Sequence, residues 1–193
     1  MAARAVEFVE MKQLRELFML VIITTLGTQM AIADSSPTVQ PRFPEIRTSD
    51  LNGRSLTLPS DFEANYNLCL IAFERNQQKN VETWVNGAQP IVEHAGISIY
   101  VIPVIQRVPG FVREFISSGM RRGTPNPQDR NHTITLFIDK GPFCRSLNLP
   151  SERTIYAVLV DKSGNVVWQA SGDFTPAAGQ GLSAAISNTT SGH

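Results

Sequence analysis

The stretch TIYAVLVDKSGNVVWQASG, residues 154–172, decides how this chain folds. Thr154 to Val160 and Val166 to Ala170 are two apolar runs of strand length. Asp161-Lys162-Ser163-Gly164-Asn165 lies between them and carries the residue types of a tight turn. The two runs therefore read as an antiparallel hairpin. Upstream, strand-like and helix-like stretches alternate. Asn67 to Phe73 (NLCLIAF) is nearly all apolar, as expected of a central strand buried on both faces. Residues 80 to 95 place Val81, Trp84, Ala88, Ile91 and Ala95 at helical spacing, with Pro90 expected to kink that helix and Gly96 to stop it. Ile97 to Ile105 is a second β-rich run. A second amphipathic helix opens at Pro109 and runs through Phe111, Val112, Phe115, Ile116 and Met120. Arg121 to Arg130 reads as a loop, Thr133 to Asp139 as a third buried strand, and Pro142 to Leu147 as a short helix.

Ahead of this series, Phe43 to Pro59 holds a small hairpin turning at Asp50 to Arg54. Behind it, Pro176 to Ile186 is a last helix of small residues. Three strands separated by helices run parallel through right-handed crossovers, and the closing hairpin adds an antiparallel edge. The expected fold is thus α/β: a central mixed sheet flanked by helices on both faces, with an N-terminal β-hairpin.

Composition narrows the function. The chain has 193 residues, which suits one domain with a core of useful size. Its 17 Lys+Arg balance 17 Asp+Glu, so the surplus cation needed to displace counterions from nucleic acid is missing. Two cysteines exclude a disulfide-rich scaffold, and three scattered histidines make no zinc cluster. No metal and no cofactor is expected.

The amino end reads as an export signal. In residues 11–33, Lys12 and Arg15 precede an apolar run from Leu17 to Leu26, and Ala31-Ile32-Ala33 has a small-x-small cleavage pattern. Met11 is the better start, because Glu7 and Glu10 do not suit a signal's front. The expected organisation is a signal peptide over 1–33, a flexible lead-in over 34–42, a domain over 43–187 and a loose tail over 188–193. The protein is then periplasmic or otherwise extracytoplasmic after cleavage, and membrane-anchored if uncleaved.

The element order and these motifs resemble the thioredoxin-like superfamily, in its TlpA-like and AhpC/TSA branch. The likeness rests on FPEIRTSDLNGRSLTLPSDF, NLCLIAF with a helix behind it, TLFIDKGPFCRSLNLP and the closing hairpin. The resemblance implies redox chemistry just after the first core strand, where a C-x-x-C or Thr-x-x-Cys motif meets a helix N-terminus. This chain has Glu74-Arg75-Asn76-Gln77-Gln78-Lys79 there, without sulfur. Ser151-Glu152-Arg153 stands where the family has a cis-proline. Among redox-dead relatives, AFERNQQKNVETW, Leu58-Pro59 and IYAVLVDKSGNVVWQASGDF are similar to the mitochondrial ATP synthase assembly-factor family.

The vacated edge is the candidate site. Glu74, Arg75, Gln77 and Gln78 follow the first core strand, and Gln106-Arg107 follows the second, where open α/β sheets bind ligands. Glu74, Arg75, Gln77, Gln78 and Arg107 are the expected partner-binding residues, and the partner is a protein of the cell envelope, such as a membrane complex under assembly. The alternative is a single-cysteine thiol oxidoreductase or peroxidase-like enzyme using Cys144, whose thiol Arg145 would activate. Cys69, mid-strand, reads as buried and inert, and a Cys69–Cys144 disulfide as geometrically disfavoured. Arg113, Arg121, Arg122 and Arg130 read as a solvated basic face, Trp84 as core, and Trp168 as either packing or contact.

Overall fold

The computed structural model describes residues 40–190, with side chains through residue 189. The export signal, the start at Met11 and residues 34–39 of the lead-in lie outside the described residues.

The chain first forms a small antiparallel ribbon, β1 (Ile46–Ser49) with β2 (Ser55–Leu58). Its turn is closed by Asp50, whose buried carboxylate accepts the backbone N–H groups of Asn52 and Arg54, both at 2.9 Å. A single five-stranded sheet follows, in the order β5-β4-β3-β6-β7. β3 (Tyr66–Ala72) is central, parallel to β4 (Ser98–Gln106) and antiparallel to β6 (Tyr156–Asp161). β5 (Leu136–Ile138) adds in parallel outside β4, and β7 (Val166–Ser171) pairs antiparallel with β6. The mixed sheet is the one expected from the crossover argument.

Because side chains alternate along a strand, each strand feeds two separate cores. From β3, Leu68 and Leu70 join Trp84, Ala88 and Val92 of helix α1 (Gln78–Ala95) and Leu182 of the last helix, α5 (Pro176–Thr190). Cys69 and Ile71 face the other way, toward Phe43, Leu56, Leu58 and Phe62 of the N-terminal segment and Phe143 of helix α4 (Lys140–Ser146). One face is therefore roofed by two long helices. The other is roofed by one short helix and the ribbon, rather than by helices alone.

Several boundaries differ from the sequence reading. The buried stripe of α1 is Val81, Trp84, Ala88 and Val92; Ala95 is exposed, and Val92 takes its place in the core. α1 continues through Pro90, which lies on the solvent side, and stops at Gly96 in the left-handed conformation, φ 66°. Residues Pro127–Asn131 form a one-turn helix, α3, inside the expected loop. Thr133 to Leu136 are buried as expected, but the strand itself, β5, is only three residues long and sits at the sheet's edge, with Phe137 and Ile138 part-buried. The amphipathic helix from Pro109, α2 (Gly110–Gly123), buries no residue at all. α5 runs to Thr190, so residues 188–190 are helical rather than a loose tail. Pro41 and Arg42 are not a free lead-in either. The Pro41 carbonyl accepts the Val166 N–H at 3.3 Å, and the Arg42 N–H donates to Ser146 O at 2.7 Å.

Candidate functional site

The carboxyl ends of β3, β4 and β5 point to one edge, and the chain segments leaving them build the site. β3 runs into Phe73 and a 3₁₀ turn, Arg75–Gln77, that leads directly into α1. Glu74, Arg75 and Gln78 are exposed on this turn. Gln78 Nε2 reaches Glu82 Oε1 at 3.4 Å on the first turns of α1. Arg107 is exposed beyond β4, where its backbone N–H bonds Ile138 O at 3.0 Å.

Gln77 departs from expectation. Its side chain is buried and bonded inside the protein. Oε1 accepts the N–H of Phe73 at 2.8 Å and of Glu74 at 3.2 Å, and Nε2 donates to Glu152 O at 2.8 Å. With three of its four hydrogen-bonding positions filled inside the protein and the side chain closed off from solvent, this amide is poorly placed to take a ligand. Gln77 is a latch that ties the loop after β3 to the loop before β6, and it is withdrawn from the binding set.

Two more residues complete the edge: Lys140, which the sequence sets after the third strand, and Glu152, from the segment standing in place of the family's cis-proline. Lys140 opens α4, its Nζ 2.9 Å from Glu152 Oε2 and 5.7 Å from the centre of the Phe73 ring. The pair joins segments twelve positions apart in sequence, and nothing in their periodicity marks them. Only the fold brings them together. The polar edge thus consists of Glu74, Arg75, Gln78 and Arg107 around a Lys140–Glu152 ion pair.

Neither cysteine lies in surroundings that lower its pKa. Both are free thiols. Cys69 is fully buried in β3, and burial alone pushes its pKa far up. Cys144 is half-buried on α4, and its pKa is also raised, first by burial and then by the Glu152 carboxylate; Lys140 and Arg145 only partly offset this. The expected activation by Arg145 is therefore outweighed. Both surroundings thus favour the thiol over the thiolate.

The remaining candidates are structural. Trp84 is core: its Nε1 donates to Gly172 O at 2.8 Å, and its ring packs edge-on against Trp168 and Phe174. Trp168 is thereby packing, not a free contact. Arg121 Nε donates to Leu51 O at 2.8 Å and Arg130 to Pro125 O at 2.9 Å, so half of the basic face is engaged internally. Among the described residues no group of three or more His, Cys, Asp or Glu is placed to hold a metal ion. Among the same residues no helix is long and apolar enough to cross a membrane.

No protein family and no curated protein matches the chain by sequence. Solved structures do match it. A putative electron transfer protein from Aquifex aeolicus VF5 is 10% identical with a TM-score of 0.55, covering 77% of this chain and 96% of that one. BsSco, from the Sco family of cytochrome c oxidase assembly proteins, is 11% identical with a TM-score of 0.53, over 80% of this chain and 96% of that one. A putative thiol:disulfide interchange protein DsbE from Chlorobium tepidum is 19% identical at a TM-score of 0.46, over 76% and 96%. With the strand order given above, the two likenesses with TM-scores above 0.5 establish that the chain has a thioredoxin-like fold.

Proposed function

We propose that this chain is an exported, thioredoxin-like binding or assembly module without dithiol activity, which holds a polypeptide at the vacated edge. One observation carries the reading: where a redox relative would place its thiols, this chain has a buried Gln77 latch and a rim of exposed Glu74, Arg75 and Gln78. A carboxylate, a guanidinium and an amide side by side are suited to backbone and side-chain hydrogen bonds from a peptide. Arg107 extends the rim. The apolar run and cleavage pattern of residues 11–33 support export. The resemblance of AFERNQQKNVETW and IYAVLVDKSGNVVWQASGDF to the ATP synthase assembly-factor family, read from these motifs alone, points to a client in a membrane complex.

Timed alkylation of the folded protein, read by mass, separates this reading from a Cys144 enzyme. Cys69 is expected to label only after denaturation. Cys144 is expected to label slowly at pH 7, with a rate still climbing above the pH of an ordinary thiol, because its thiolate is disfavoured in the folded state. Fast labelling of Cys144 at pH 7, blocked by peroxide, would make the protein a thiol enzyme instead.

A further inference from the structure

The face of β4 that looks toward α1 is an apolar strip with an incomplete cover. Ile97, just before the strand, and Ile99 and Val101 within it lie on this strip and are only part-buried. Tyr100, Ile102 and Val104, on the opposite face of the same strand, are closed off. Right-handed crossovers from β3 to β4 and from β4 to β5 set α1 and α2 on this one face, so α2 is the element that ought to close over the strip. Instead it stands off the sheet: Val112, Ile116 and Met120 are only part-buried, and no residue of the helix is closed off. The Arg113 guanidinium lies 5.3 Å from the centre of the Phe137 ring, and Arg121 is bonded to Leu51 O. Phe111 and Phe115, one turn apart and so on one side of the helix, are 79% and 75% exposed.

An open groove of about 1440 Å³ results between the two helices. Ile99, Val101 and Ile105 form its floor, Val85 and Val92 of α1 one wall, and Phe115, Ile116 and Met120 of α2 the other. Its floor follows the nine residues of β4, about 30 Å of extended chain, close to the length of a helix of about 18 residues. A trough between two helices receives a rod better than a flat surface. Charge adds a second constraint. Glu74 and Glu82 line the mouth at the carboxyl end of the strands beside Arg75, the one Lys or Arg in the lining, and Asp129 lines the mouth at the other with Glu63, whose carboxylate is already paired with Arg54 at 3.6 Å and His132 at 3.2 Å. Acidic mouths disfavour an anionic bilayer and favour a rod with cationic ends.

We propose that the groove between α1 and α2 binds a single helical segment of a partner protein, apolar along one stripe and carrying Lys or Arg at both ends. One mouth of the groove is the Glu74–Gln78 rim, so this rests on the function proposed above and names its partner's chemistry. The mode is helix-in-groove recognition, with anchors at i, i+3, i+4 and i+7.

The test uses a fluorescent peptide of about 18 residues, with leucines at those spacings in an alanine background and two lysines at each end. A twin carries glutamates at the ends, and vesicles of phosphatidylglycerol and phosphatidylcholine serve as a third probe. The lysine-ended peptide is expected to bind the chain, the glutamate-ended one to bind about tenfold more weakly, and the gap to close as salt rises. Phe115→Ser, at an exposed site, should weaken binding of the lysine-ended peptide about tenfold with an unchanged melting curve. No binding, equal binding of the two peptides, or indifference to Phe115→Ser would overturn the proposal. So would co-sedimentation with vesicles in place of peptide binding, or a dimer of the chain that Phe115→Ser dissolves. If Arg75→Ala and Gln78→Ala leave binding intact while Phe115→Ser removes it, the rim fails and the groove stands. The reverse pattern sinks the groove and keeps the rim.

Discussion

Gln77 and Gln78 are neighbours of the same residue type with opposite tasks. Replacing Gln77 by Leu strands two N–H groups and a carbonyl in a closed environment, which costs about 3 kcal/mol. Replacing the exposed Gln78 by Ala stays within about 0.5 kcal/mol. Chemical denaturation of the two variants would reveal the contrast, and equal midpoints would show that the latch is not holding the loops. Tyr100 gives a pH-dependent counterpart. Its hydroxyl accepts the Glu63 N–H at 3.1 Å, and burial pushes its pKa up to about 12 from an ordinary 10.0. Between those values the unfolded chain loses its phenolic proton while the folded chain keeps it. The stability this tyrosine contributes is therefore whole below pH 10 and falls by about 2 kcal/mol toward pH 12. Tyr100→Phe should start about 1 kcal/mol less stable, from the orphaned Glu63 N–H, and then decline less steeply with alkali. Denaturation midpoints taken at rising pH would check both slopes.

Helix α1 shows why packing, not propensity, fixes its place. It crosses α5 at glycines, and the Phe174 ring occupies the space above Gly87 and Gly179. A methyl on Gly87 would overlap that ring, so Gly87→Ala is expected to destabilise by about 2 kcal/mol although alanine favours the helix itself. A gain in thermal stability would mean that Phe174 moves aside freely. Such elements also mark how far a sequence can be read. β3, the closing hairpin and the stop at Gly96 were legible because a continuous apolar run, a turn and a left-handed glycine each act locally. α2 was legible as an amphipathic helix, but not that Val112, Ile116 and Met120 would be only part-covered while Phe111 and Phe115 stand exposed. Periodicity measures an arc; it says nothing of which neighbour receives it. Gln77 was misassigned for a related reason, since an amide beside exposed polar residues looks the same whether it faces water or a carbonyl of a loop far along the chain.

The molecule as a whole depends on a segment that lies before the sheet in sequence. Phe43 sits between Phe62 and Phe143, with ring centres 5.7 Å from each, and its N–H donates to Gly164 O at 2.7 Å in the turn between β6 and β7. Gly164 has φ 89°, and a side chain there would come within 2.7 Å of the Phe43 carbonyl. The D-x-x-G turn and the start of the domain are therefore made for each other. The motif that reveals the fold in the sequence is also the seat of its first residues. Among the described residues, the ribbon, the segment around Phe43 and Phe62, and the short α4 cover that face of the sheet, so loss of the clamp should be felt everywhere. Phe43→Ala removes a buried ring that joins ribbon, α4 and closing turn, and is expected to cost about 4 kcal/mol. Near-ultraviolet and far-ultraviolet dichroism should still melt together, at a lower temperature, because both sides of the sheet share β3 and β6. If the near-ultraviolet signal is lost first, with the helices intact, the ribbon face is a separate unit and the two cores are stabilised independently.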